Sequence, residues 1–169
     1  MLKRSWFGGE PKRIGVSGHR HRVGADWDWT REALIDFFLS APHAVGLSSL
    51  AAGADQIFAE VALAYGAGHI AVVPGAGGYA ETFDGDELRK YEILRQRSKR
   101  IIRIGDEPTS ANFRKAGERV VREADLMIFV WDGGPAQGEG GTADIVAYAK
   151  ERKRSAIWLN PITREETRL

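Results

Sequence analysis

The run Leu126-Met127-Ile128-Phe129-Val130-Trp131, continued by Asp132-Gly133-Gly134-Pro135-Ala136-Gln137-Gly138-Glu139-Gly140-Gly141 and then Thr142-Ala143-Asp144-Ile145-Val146, decides how this chain is read. Six apolar residues in a row suit a strand buried on both faces. The loop that follows is dense in glycine. Thr142 then stands as a helix N-cap, Asp144 falls in the first turn, and Ile145, Val146 and Ala149 give a helical stripe. Strand, glycine loop and helix start together make an anion site. Glycines let backbone approach a ligand, and the first N–H groups of the helix point at it with the positive dipole end behind them. A tight turn alone needs one or two glycines. The density here favours a ligand loop.

Working outward, the same alternation recurs. Residues 13–16 read as a strand, ending in Ser17-Gly18-His19-Arg20-His21-Arg22. Asp26 or Asp28 can cap a helix with Leu34, Phe37, Phe38 and Ala41 on its apolar face, stopped by Pro42. A second strand over 44–47 runs into Ser48-Ser49-Leu50-Ala51-Ala52-Gly53-Ala54-Asp55. The next helix places Ile57, Phe58, Val61, Ala62 and Tyr65 at spacings of three and four, closed by Gly66 to Gly68. A third strand over 69–73 leads to Pro74-Gly75-Ala76-Gly77-Gly78-Tyr79. Residues 87–98 form a charged helix with Leu88, Tyr91 and Leu94 as its buried edge. Residues 100–104 are a fourth strand, and Ser110 caps a helix carrying Phe113, Ala116, Val120 and Val121. A last strand spans 155–159.

Such alternation predicts one α/β domain over residues 13–160. Its form is Rossmann-like and doubly wound, a mostly parallel sheet of about six strands with helices on both faces. Residues 1–12 read as a flexible leader and 161–169 as a C-terminal tail that frays. In this architecture ligands bind at the carboxyl ends of the strands. The four chemically rich loops all follow strands, so they share one rim and predict a pocket there.

Composition bounds the function. A formal net charge of +1 gives no overall call for nucleic acid or an anionic membrane. The absence of cysteine excludes disulfides, thiolate catalysis and zinc–thiolate sites, and fits a reducing cytoplasm. No window approaches a membrane span, and the first residues lack a signal-peptide core. Neither metal nor cofactor is implied, since two histidines without a carboxylate cluster are a poor ligand set. A homo-oligomer is compatible with all of this.

Candidate site residues follow from the loops. Arg20 can clamp a phosphate bidentately, and His19, beside Gly18, can bond a phosphate or a base. Ser49 precedes a helix start, and Gly53 lets the chain turn closely. Asp55 either serves the helix dipole or recognises ribose hydroxyls. Tyr79 can stack a base. Asp132 and Gly133, just past the buried strand, suit ribose or amino-group recognition. Gly140, Gly141 and Thr142 form the anion site. For catalysis, no serine–histidine–acid order and no G-x-S-x-G elbow is present. Asp132, Glu139 and Asp144 are the carboxylates able to assist N-glycosidic cleavage through an oxocarbenium-like state.

Four motifs together resemble the SLOG superfamily: Ser17-Gly18-His19-Arg20, the segment from Ser49 to Asp55, the segment from Ala124 to Gly133, and the segment from Gly138 to Val146. This Rossmann-like group includes the DNA-processing protein DprA and the LOG phosphoribohydrolases. The resemblance covers Arg13 to about Asn160 and implies a nucleotide or ADP-ribose-like ligand, with Gly140, Gly141 and Thr142 on its phosphate. LOG enzymes carry P-G-G-x-G-T-x-x-E, whose glutamate serves cleavage. Here Gly141-Thr142 match the Gly-Thr, but Ile145 stands at the glutamate position. The segment before Asp55 is similar to a DprA loop, while the chain lacks the basic surplus expected for single-stranded DNA. A sensor-like nucleotide binder is therefore expected, with a nucleotide N-glycosidase, phosphoribohydrolase or deoxyribosyltransferase as the alternative. DprA-like DNA binding is the weaker one.

Overall fold

Each apolar run pairs as a strand, and each amphipathic run covers the sheet. In the computed structural model, which describes residues 10–136, 138 and 140–169, the order is β1 (Arg13–Gly18), α1 (Trp27–Ser40), β2 (Val45–Ser48), α2 (Ala54–Tyr65), β3 (His69–Pro74), α3 (Gly85–Arg97), β4 (Arg100–Ile104), α4 (Ser110–Glu123), β5 (Leu126–Val130), α5 (Thr142–Glu151), β6 (Ser155–Asn160) and β7 (Glu165–Arg168). A 3-10 turn, Tyr79–Thr82, stands between β3 and α3.

The strands form one sheet in the order β4-β3-β2-β1-β5-β6-β7. All neighbours are parallel except β6 and β7. β5 lies against β1, with Ile14 opposite Leu126 and Gly18 opposite Val130, and is buried along its whole length. Its side chains alternate between layers. Leu126, Ile128 and Val130 join Phe37, Phe38 and Phe58 beneath α1 and α2. Met127 and Phe129 join Val120, Val121, Ile145 and Val146 beneath α4 and α5. A third cluster under α3 gathers Tyr79, Phe83, Tyr91 and Leu94. The chain thus moves outward from β1 to β4, returns to β5 beside β1, and switches sheet face as it does so. That reversal leaves a crevice at the strand ends between β1 and β5.

Local chemistry explains the helix starts. Asp26 caps α1 by accepting from the Trp29 N–H. α4 is capped by Thr109, not Ser110, which is its first helical residue. α5 is capped by Gly141, without any side-chain bond, and Thr142 is again the first helical residue. The expected fraying tail is instead β7. Asn160 Oδ1 accepts from the Ile162 and Thr163 N–H groups, turning the chain back so that 165–168 pair with β6. Tyr65, expected on the buried stripe of α2, is 43% exposed at the helix end.

Buried polar groups brace the sheet. His69, fully buried at the start of β3, has Nδ1 2.9 Å from Ser98 Oγ and Nε2 2.9 Å from Ser48 Oγ. Ser98 donates its own proton to the Leu94 carbonyl, so it accepts from Nδ1–H, and Ser48 donates to Nε2. Burial pushes the imidazole down to about 3, and it is neutral at ordinary pH.

Candidate functional site

At the strand C-termini lies a cavity of about 350 Å³. The loops after β1, β2, β3 and β5 all contribute to its wall, and α4 and α5 close it. Gly18, His19, Arg20, Ser49, Asp55 and Tyr79 line it, as do Gly140, Gly141 and Thr142. Gly53, Asp132, Gly133 and Asp144 stand outside the wall. Glu139 lies outside the described residues.

The loop after β2 is the most constrained segment. Leu50 has a positive φ of 58° and is fully buried, a conformation that a bulky side chain adopts only when its surroundings impose it. Gly53, at φ 78° and ψ −124°, caps α2. A Cβ there would lie 2.0 Å from the Arg20 carbonyl oxygen. The close approach lets the Ala54 N–H reach the His19 carbonyl at 3.1 Å. This one glycine therefore fastens the loop carrying His19 and Arg20 to the start of α2, which carries Asp55.

Asp55 is 5% exposed and its Oδ2 accepts from the Ser49 N–H at 3.0 Å. Burial pushes its carboxyl up to about 7, against the pull of the Ser49 and Ala51 N–H groups and of the Arg20 charge. Arg20 rests its guanidinium 5.5 Å from the centre of the Phe83 ring, a cation–π arrangement. It also interacts with the Tyr79 hydroxyl, without completing a hydrogen bond to it. The Tyr79 ring is 1% exposed and packs edge-on against Phe83, Tyr91 and Phe113. Its faces are occupied by packing, so base stacking does not fit it. Among the described residues its hydroxyl has no hydrogen-bond partner, and burial and the nearby Asp55 raise its pKa.

Asp132 is held otherwise. Its Oδ1 accepts from the Gly134 N–H at 2.9 Å, its Oδ2 accepts from Arg22 Nε at 2.6 Å, and His19 Nε2 lies 3.0 Å from Oδ1. Burial opposes its ionisation, but those donors together hold the carboxyl down to about 2. Asp132 therefore ties the β1 and β5 loops together. Asp144 Oδ2 accepts from the Gly140 N–H at 3.0 Å, folding the glycine loop over the first turn of α5. Gly140 itself has φ 80°, and a Cβ there would meet Arg114 N at 2.8 Å.

With the Gly140 N–H taken by Asp144 and the Gly141 N–H by the Gly138 carbonyl, the first-turn donors of α5 that remain, on residues lining the cavity, are those of Thr142 and Ala143. Neither has a partner among the described residues. The wall also has an apolar part, contributed by Val16, Phe113, Gly117 and Ile145. Trp131 stands in the wall too, its indole N–H donating to the Gly134 carbonyl at 2.8 Å. Sequence reasoning missed Phe113, Gly117 and Ile145, which read as ordinary helix-core positions. Trp131, an aromatic ending an apolar run at a glycine loop, carried a signal that was there to use.

Comparison with known proteins places this architecture. No protein-family model matches the chain, and no curated protein matches it by sequence. Solved structures do. DNA processing protein A from Helicobacter pylori, described for its single-stranded DNA binding mode, superposes with a TM-score of 0.64 at 18% identity, covering 89% of this chain and 66% of that one. DprA from Streptococcus pneumoniae gives 0.65 at 17% identity, covering 88% and 50%. The protein TM1055 gives 0.56 at 14% identity, covering 86% and 72%. This chain thus spans between half and two thirds of the two DprA chains. The fold is the Rossmann-like, DprA-like α/β fold. At these identities the likeness concerns the fold alone.

Proposed function

We propose that the cavity binds a nucleotide or nucleotide-derived ligand, as a sensor, with its phosphate at the start of α5. The observation that carries this reading is the first turn of α5, which has no side-chain cap and whose Thr142 and Ala143, with N–H groups unpartnered among the described residues, line a cavity of nucleotide size. The apolar part of the wall suits a base. The superposed fold supports the reading, since DprA of this type is described as binding single-stranded DNA. A mononucleotide is the better fit here, because the chain has a net charge of only +1 and no basic surplus to follow a phosphate backbone.

Mononucleotides should raise the melting temperature, and matching nucleosides should do so much less. At about 100 times the dissociation constant the stabilisation is roughly 2.7 kcal/mol. Equal shifts from nucleoside and nucleotide would sink the assignment. Thr142→Pro refines it. Proline is tolerated at the first helical position, where it removes one N–H and nothing else, and Gly141 already has the extended backbone (φ −64°, ψ 166°) that precedes a proline comfortably. The variant should fold normally and lose roughly 1.5–3 kcal/mol of nucleotide binding, the value of a hydrogen bond to a charged group.

One observation favours hydrolysis as a second reading. Asp55, in the cavity wall, changes charge near neutrality, as a general acid or base must. Asp132 and Asp144 are committed to other bonds. Under the sensor reading, protein incubated with nucleoside monophosphates releases no free base above background. Release abolished by Asp55→Asn would establish the enzyme.

A further inference from the structure

Arg20 from the loop after β1, Asp55 from the first turn of α2 and Tyr79 from the 3-10 turn after β3 share the cavity wall, and the nucleotide reading above does not use them together. Their chemistry is specific. Asp55 is a buried carboxyl with acceptor capacity beyond the Ser49 N–H it already takes. Tyr79 offers a buried hydroxyl with no partner among the described residues, a state that costs stability until something occupies it. Arg20 adds further N–H donors beside both.

Which ligand group belongs there follows from charge and from hydrogen-bond valence. A phosphate here would meet carboxyl oxygens, and the ionised form of Asp55 would repel it. The same phosphate meets only N–H groups at α5, so the two ends of the cavity sort the ligand. A base edge presents amino groups that only donate and ring nitrogens that only accept. A sugar hydroxyl does both at one oxygen: it can donate to Asp55 while accepting from Tyr79 or Arg20. Two adjacent hydroxyls match a carboxylate, which accepts through two oxygens.

Resting on the nucleotide reading, we propose that Arg20, Asp55 and Tyr79 form a sugar-hydroxyl subsite that holds the 2′,3′-diol of a ribose, so that the ligand is a ribonucleotide and not its deoxy counterpart. The ligand lies with its diol against the loop after β2, its phosphate at Thr142 and Ala143, and its base over Phe113 and Ile145. Arg20 serves the sugar end, resting over Phe83, and is not the phosphate clamp.

The test measures affinities of the four ribonucleoside 5′-monophosphates, their 2′-deoxy counterparts, ribose 5-phosphate and 2-deoxyribose 5-phosphate by calorimetric titration. The wild type is expected to favour the ribo member of each binding pair by roughly tenfold or more, the contribution of one good hydrogen bond to a charged acceptor. Tyr79→Phe should leave the melting temperature unchanged or higher, because it removes an unpartnered buried hydroxyl, and should cut the ribo preference to below about threefold. Asp55→Asn, which keeps the shape, should cut it likewise. Equal affinity for ribo and deoxy forms in the wild type would overturn the sugar subsite while leaving the nucleotide reading standing. A ribo preference unchanged in both variants would also overturn it. Binding of neither series, in contrast, would remove the nucleotide reading and this inference with it.

Discussion

Gly53→Ala is expected to lower the melting temperature by roughly 10 °C and to loosen ligand binding with it. At φ 78° and ψ −124° the backbone of residue 53 lies where a side chain is strained by about 1–3 kcal/mol. The added Cβ would also sit 2.0 Å from the Arg20 oxygen and 2.6 Å from the His19 oxygen. Both are backbone atoms, so no rotamer change relieves the clash, and overpacking of this kind costs about another 1–3 kcal/mol. In a chain of this length each kcal/mol is worth about 2–4 °C. Gly85→Ala is the matched control. It also has a positive φ, 48°, but nothing within 4 Å of the new atom, so it should show backbone strain alone, roughly 1 kcal/mol. Equal losses in the two variants would show that the contact with the β1 loop contributes nothing.

Asp55→Asn should make folding stability sensitive to acid between pH 6.5 and 4, where the wild-type protein is buffered. The argument rests on two buried groups with opposite linkage. His69 is depressed from 6.5 to about 3, so its contribution is complete above pH 6.5 and is lost as pH falls towards 3. Asp55 is raised from 3.8 to about 7, so its contribution is complete below pH 3.8 and is lost as pH rises through 7. Across the shared window, unfolding moves one proton off Asp55 and one onto His69, and the two slopes cancel. Removing the aspartate leaves the histidine slope of about 1.4 kcal/mol per pH unit, or about 3 kcal/mol over the window. Denaturant melts at pH 4.5, 5.5 and 6.5 read this directly. Parallel profiles for variant and wild type would show that Asp55 is ionised in the folded protein throughout the range.

Most of the fold was legible because its signals are periodic. The apolar run at β5 and the stripes of α1, α2 and α4 each repeat one instruction several times, so errors average out. Helix caps do not average. Thr109 and Ser110 are both good caps, and so by composition is Thr142, but only backbone angles distinguish the cap from the first helical residue. β7 was missed because Glu165, Glu166, Thr167 and Arg168 have no buried face to advertise; Asn160 and the open edge of β6 make the strand. The site loops were legible as loops rich in glycine and polar groups. The roles within them were less so. Tyr79, after two glycines, reads as a base-stacking residue, yet Phe83, Tyr91 and Phe113 come from later segments to enclose it. Asp132 and Asp144 look equally free in sequence, and only geometry reveals the donors that occupy them.

The pairing of β5 with β1 has a consequence for how the two halves of the molecule communicate. The cavity wall draws on residues before Thr82 and on residues after Ser110, and the two sets meet along the β1–β5 pairing and where Phe113 packs on Tyr79. A ligand gripping both sides acts as a noncovalent staple across that seam. Opening either half-sheet would forfeit the whole binding free energy, so occupancy raises the cost of each such partial opening by as much as it raises that of complete unfolding. Fluctuations of β2 and of β6, on opposite flanks and without direct contact, then become correlated through the bound molecule. An empty protein can breathe one flank at a time, whereas in an occupied one the opening of either flank forfeits the same ligand.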